Sequence, residues 1–145
     1  MTCNILMQFV RLASQIDPPL YASSGAAGLD LRAAESVVIP GRESRLIRTG
    51  LRVALQPGTV GNIRSRSGLA VRKHLEVGAG IIDADYRGEI CVLLRNHGDQ
   101  EQHVESNERI AQMIVQPCLR VPLEEVDDLS ETTRGIGGFG STGHA

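Results

Sequence analysis

Apolar side chains recur at alternate positions through short stretches, as in Leu29, Leu31 and Ala33 or Leu51, Val53 and Leu55, with other residues between. A period of two marks a strand with one face buried. The pattern predicts strands over Leu6–Leu12, Leu29–Ala33, Ser36–Ile39, Arg45–Arg48, Leu51–Leu55, Thr59–Ser65, Glu89–Asn96, His103–Glu105 and Arg109–Leu119. Turn residues separate them: Pro40-Gly41, Pro57-Gly58, Asn96-His97-Gly98-Asp99 and Ser106-Asn107. Many short strands at this spacing predict an all-β sandwich or barrel. Two stretches break the pattern. Arg66–Lys73 predicts a helix of about two turns with Ser67 as its cap. Arg134–Gly143 carries five glycines in ten residues and predicts a mobile tail. Repeats are absent. The expected organisation is one domain over residues 1–145, with a β core over 1–130 and a flexible arm over 131–145.

Composition narrows the class. The chain has 145 residues, 41% hydrophobic and 22% charged, a soluble globular balance. It has no apolar run long enough to span a bilayer and no secretory-type start, so an intracellular, cytoplasmic protein is expected. Cys3, Cys91 and Cys118 are scattered and odd in number, which predicts free thiols rather than a disulfide framework. No pair among His74, His97, His103 and His144 has the spacing of a zinc clamp. Net charge is only -2, yet Arg45–Leu75 holds seven basic residues and no acid, while Glu124–Glu131 holds five acids. Unopposed positive charge suits an anionic ligand, and is also what a solvated basic face looks like. Four aromatic residues and a slightly acidic total argue against a nucleic-acid surface.

Three segments carry candidate chemistry. In the tail, close glycines would let backbone N–H groups approach a phosphate, with Arg134, Ser141 and Thr142 as further donors. Phe139, in a glycine tract with no core beside it, suits stacking on a base; plain disorder is the other reading. Ser65-Arg66-Ser67-Gly68 opens the expected helix, where free N–H groups and side chains could hold phosphate oxygens, or where Ser67 is simply a cap. Gly78–Gly88 reads as a hairpin carrying Asp83, Asp85 and Tyr86, with Asp85 and Gly88 as turn residues. Asp83 follows two isoleucines, and partial desolvation there would make it a better proton acceptor. Its alternative role is a hydrogen-bonding turn residue.

The order and spelling of these segments resemble the trimeric dUTPase family. Ala27-Gly28-Leu29-Asp30-Leu31, Arg66-Ser67-Gly68-Leu69-Ala70, Gly80-Ile81-Ile82-Asp83-Ala84-Asp85-Tyr86-Arg87-Gly88, Glu108-Arg109-Ile110-Ala111-Gln112-Met113 and Arg134–Gly143 carry the match in the family's order, across almost the whole chain. The resemblance implies a jelly-roll-like β fold, a homotrimer with active sites shared between subunits, and hydrolysis of dUTP to dUMP and pyrophosphate. That activity keeps uracil out of DNA and supplies dUMP for dTMP synthesis. The resemblance further implies Asp83 as the base that activates water for attack on the α-phosphorus. Arg66, Ser67, Gly68, Gln112, Arg134, Ser141 and Thr142 would hold phosphates. Gly80, Ile82, Asp83, Tyr86, Phe139 and Gly140 would bind uracil and deoxyribose, with the hairpin backbone reading the base. Mg2+ would be held mainly by the triphosphate, with Asp30 linked to it through water.

Departures from the family pattern are few. Ser65 stands where a proline is usual, which should loosen the entry to the helix. Asn107 stands where a glycine is usual, and asparagine tolerates the left-handed turn. Ile136 fills a variable position. The Val121–Val126 approach to the tail leans toward eukaryotic and poxviral members. The nearest alternative, a dCTP deaminase, is disfavoured by the intact Asp83-Ala84-Asp85-Tyr86 segment. A regulatory protein that keeps the fold and signals by nucleotide-gated binding is the other alternative.

Overall fold

The computed structural model describes residues 6–138. Eleven strands are all paired antiparallel: β1 (Gln8–Arg11), β2 (Leu29–Arg32), β3 (Val37–Ile39), β4 (Ser44–Arg48), β5 (Leu51–Ala54), β6 (Thr59–Arg64), β7 (Leu75–Val77), β8 (Ile81–Ile82), β9 (Cys91–Asn96), β10 (Gln102–Val104) and β11 (Arg109–Pro117). One helix, α1 (Ser67–Lys73), lies between β6 and β7. Four small sheets result, in the orders β2-β11-β6-β8, β4-β9-β7, β1-β5 and β3-β10. This is the all-β architecture that the strand pattern predicts, of the jelly-roll type that the resemblance implies.

The alternation explains why the sheets pack. In β2, β5 and β9 every second residue is buried, and the buried set meets in one core that includes Leu31, Ile47, Leu75, Val92, Leu94 and Met113. Burying each large aliphatic side chain contributes about 1.5–3 kcal/mol, so this shared face holds the sheets together. Asn96 is also fully buried. Its side-chain N–H groups reach the carbonyls of Ile39, Pro40 and Gln100, and its oxygen accepts from Gly98, so no polar atom is stranded.

The predicted turns form, with instructive detail. Asn107 adopts φ 65°, as expected of an asparagine in a glycine position. Its side chain also accepts from the Asp17 N–H and donates to the Asp17 carboxylate, contacts a glycine could not make. Strands β7 and β8 were not expected as separate elements. Ser67 is the first helical residue rather than the cap: Arg66 occupies the cap position in extended backbone and makes no side-chain capping bond. Cys91 and Cys118 are free thiols, and partial burial is the chief influence raising the Cys91 pKa.

Candidate functional site

The expected site residues fall into two groups in one chain. The first gathers where β2, β11 and the end of β6 meet. Alternation turns Asp30 of β2 away from the core, opposite Gln112 of β11. One carboxylate oxygen of Asp30 sits 3.3 Å from Arg66 Nε and the other 3.3 Å from Arg109 Nη1. Arg66 also donates to the Arg109 carbonyl at 3.2 Å. Gln112 Nε2 donates to the Ser65 carbonyl at 3.1 Å. Gly28 leaves the room this needs, since a Cβ there would come within 3.1 Å of the Gln112 side chain. Two guanidiniums share one carboxylate, so the cluster keeps a net positive charge suited to phosphate oxygens.

Arg109 is not among the site residues expected from the sequence, yet it pairs with Asp30. A bulge explains why. Arg109 pairs with Arg32 and Ala111 with Leu31, so two residues of β11 oppose one step of β2. Ile110 and Ala111 are both buried as a result, and Arg109 and Gln112 both avoid the core. The only available signal was the place of Arg109 in the fourth quoted segment.

The helix carrying Arg66 to Gly68 is braced at both ends. Lys73 Nζ contacts Glu108 Oε1 at 3.0 Å and the His103 carbonyl at 2.8 Å. At the other end the Ser65 hydroxyl accepts from the Val77 N–H at 2.9 Å. The serine therefore pins the approach to the helix where a looser entry was expected. Ser65→Ala is expected to lower stability by about 1 kcal/mol in urea unfolding, because the part-buried Val77 N–H loses its acceptor.

The second group is the hairpin after β8. Ile63 N–H donates to the Gly80 carbonyl, and a Cβ on Gly80 would collide with the Ile63 carbonyl, so only glycine fits there. Ile82 then pairs with Gly61 and Ile81 with Asn62. Tyr86 N–H closes the turn on the Asp83 carbonyl at 3.1 Å. The closing residue is Tyr86, within the turn expected of Asp85 and Gly88. The partial desolvation expected for Asp83 is not supplied by its own chain: Asp83 is exposed, and the side chain of Ile81 before it is 64% exposed.

The two groups lie apart. Strand β8 runs antiparallel to β6, so Asp83 follows toward Val60, while Arg66 lies beyond the other end of β6. Six residues at about 3.3 Å each put the two roughly 20 Å apart along the strand. Of the tail residues, Arg134 is exposed and donates to the nearby Gly137 carbonyl at 2.9 Å, in a turn of its own. Phe139, Gly140, Ser141 and Thr142 lie outside the described residues.

Other features are placed elsewhere. An apolar groove lined by Met7, Phe9, Leu20, Tyr21, Leu29 and Val115 contains none of the expected site residues. Among the described residues no three His, Cys, Asp or Glu side chains are grouped as metal ligands. No described helix is long and apolar enough to cross a membrane.

The dUTPase family model matches residues 14–143. The deoxyuridine 5'-triphosphate nucleotidohydrolase of Gloeothece citriformis is 50% identical over 127 residues, covering 86% of this chain and 88% of the relative. That of Rattus norvegicus is 45% identical over 137 residues, covering 94% of this chain and 67% of the relative. Relatives at comparable identity include plant, bacterial and viral proteins. Among solved structures, a Staphylococcus bacteriophage 80alpha dUTPase with dUpNHpp is 28% identical with a TM-score of 0.90, covering 96% of this chain and 99% of that one. Fold, motif order and sequence agree along nearly the full length, and the chain belongs to the dUTPase family.

Proposed function

We propose that this chain hydrolyses dUTP to dUMP and pyrophosphate as a homotrimer whose active sites form between subunits. The observation that carries the shared-site reading is the separation of Asp83 from the Arg66–Asp30–Arg109 cluster along β6. A single chain offers a phosphate cradle at one place and a carboxylate at another. Three-fold assembly brings the hairpin of one chain to the cradle of the next. The exposed Asp83 and Ile81 support this, since packing against a second chain and a bound nucleotide would supply the desolvation that one chain lacks.

In this reading Arg66, Ser67, Gly68 and Gln112 hold the triphosphate. The backbone of Gly80, Ile82 and Asp83 pairs with uracil, and leaves donors and acceptors unmatched when cytosine is offered. Tyr86 lies under the deoxyribose. Asp83 takes a proton from a water directed at the α-phosphorus, and pyrophosphate leaves. Arg134, Ser141 and Thr142 reach the outer phosphates and Phe139 stacks on the base. The arm that carries them supports a role outside its own body. Cys118 N–H to Gly58 O is the last described hydrogen bond tying it there, and Leu119, Leu123 and Leu129 beyond it are more than four-fifths exposed. Residues 1–145 then form one domain plus an arm that serves a neighbouring chain.

The residues fit Mg2+ only as an ion carried in by the substrate. Asp30 already has both oxygens against guanidinium groups, which suits a contact through water better than direct ligation. When bound, the ion would neutralise charge on the phosphate oxygens. A relative of this fold, the dUTPase of phage phi11, is described with a structural Mg(II) ion. The composition, 41% hydrophobic and 22% charged, suits an intracellular enzyme of nucleotide metabolism.

Pyrophosphate release measured across the deoxynucleoside triphosphates tests the activity. dUTP alone should be turned over efficiently, and ammonia release from dCTP would point instead to a deaminase. Cutting the chain after Leu129 should leave the trimer intact in sedimentation and lower kcat while raising KM, because closure over the nucleotide is lost. Full turnover by that variant would assign the tail no part in catalysis.

A further inference from the structure

We propose that Gly88 is a specificity-determining residue, which sets the sugar selectivity of the enzyme by allowing Tyr86 to lie across its α-carbon. A Cβ built on Gly88 would stand 2.6 Å from Tyr86 Cζ and 2.9 Å from Cε2, and closer still to the phenolic oxygen. No side chain can occupy position 88 while the ring stays where it is. Gly88 is not one of the left-handed glycines, which are Gly50, Gly58 and Gly135, so its backbone alone does not call for glycine. The ring above it does.

The floor under the ring is fixed. Tyr86 Oη donates to the Glu89 carbonyl at 2.9 Å. Glu89 is held in turn through its carboxylate, which accepts from Gly50 N–H at 2.8 Å and Arg48 Nε at 2.9 Å. On either side, Arg52 Nε donates to the Arg87 carbonyl at 2.6 Å and Ile90 N–H donates to the Leu51 carbonyl at 2.8 Å. The backbone from Arg87 to Ile90 is thus laced onto β5 and the turn before it. Tyr86, by contrast, is 43% exposed. A methyl group added at position 88 is therefore relieved by the ring moving, not by the backbone. Such relief costs little stability, and removing a glycine also restricts the unfolded chain. The expected consequence is a folded protein with a displaced Tyr86.

This inference rests on the reading that Tyr86 lies under the deoxyribose and leaves no room for a 2′-hydroxyl. Moving the ring opens that room. The test compares kcat/KM for dUTP and UTP in the full-length wild type, Gly88→Ala, Tyr86→Ala and the double variant, with thermal unfolding of each. Gly88→Ala should keep the wild-type melting temperature and lower the dUTP-to-UTP ratio about tenfold or more. Adding Gly88→Ala to Tyr86→Ala should change the ratio no further, because no ring remains to displace. If Tyr86→Ala lowers the ratio and Gly88→Ala leaves it within about twofold of wild type, the role of Gly88 is overturned while that of Tyr86 stands. An unchanged ratio in Tyr86→Ala overturns both. A further drop in the double variant equal to that of Gly88→Ala alone also overturns the proposal, since glycine would then act without the ring.

Discussion

Asp83→Asn is expected to bind dUTP with nearly wild-type affinity and to cleave it at least about a hundredfold more slowly. The amide keeps the size and shape of the carboxylate but cannot take a proton from water. The fold around it has little reason to change. The turn is closed by the Asp83 carbonyl, which accepts from Tyr86 N–H, and this bond does not involve the side chain. Strand pairing of Ile81 and Ile82 with β6 is likewise made by backbone atoms. Loss should therefore appear in kcat with KM little altered, the signature of an interaction made only in the transition state. Pyrophosphate release under single-turnover and steady-state conditions measures both. Wild-type turnover in the variant would remove Asp83 as the base. A raised KM at unchanged kcat would make it a binding residue.

How much of this was legible in the sequence depends on which physical signal each element carries. Strands β2 and β5 announce themselves by alternation, because one face of each is buried in the common core. Strands β7 and β8 span three and two residues, too few for any period to show. Their extended state comes from tertiary partners, β9 for one and β6 for the other. The bulge in β11 is invisible for a related reason: it is a mismatch between two strands, and no single stretch of residues encodes it. It is also what brings Arg109 to Asp30.

The candidate site divides along the same line. Asp30, Arg66, Gln112, Asp83 and Tyr86 were singled out through quoted motifs, and the fold places the first three beside one another. The partners that hold them were not found, because they act through contacts between distant segments. Lys73 with Glu108 is one such pair and Ser65 with Val77 another. The environment that one chain gives Asp83 was not legible for a different reason. Two preceding isoleucines suggest an apolar setting only if both point inward, and Ile81 points outward. Local hydrophobicity says nothing about which face a strand of two residues shows to its own body.

That outward face leads to the second large expected effect, recovery of activity from two inactive chains. Asp83→Asn lacks the base, and Arg66→Ala lacks a phosphate contact while Asp30 keeps its other partner, Arg109. Each variant alone should be nearly inactive. Co-expressed in equal amounts with separate affinity tags and purified through both, they should form mixed trimers. If each site takes its hairpin from one chain and its phosphate cluster from the next, a mixed trimer of either composition keeps about a third of its sites with both intact. Activity near that fraction of wild type is expected, far above either parent. Were both groups supplied by the same chain, every site in the mixture would carry one lesion. Activity would then stay at the level of the parents, and the roughly 20 Å of strand β6 between Asp83 and Arg66 would have to be bridged within one subunit.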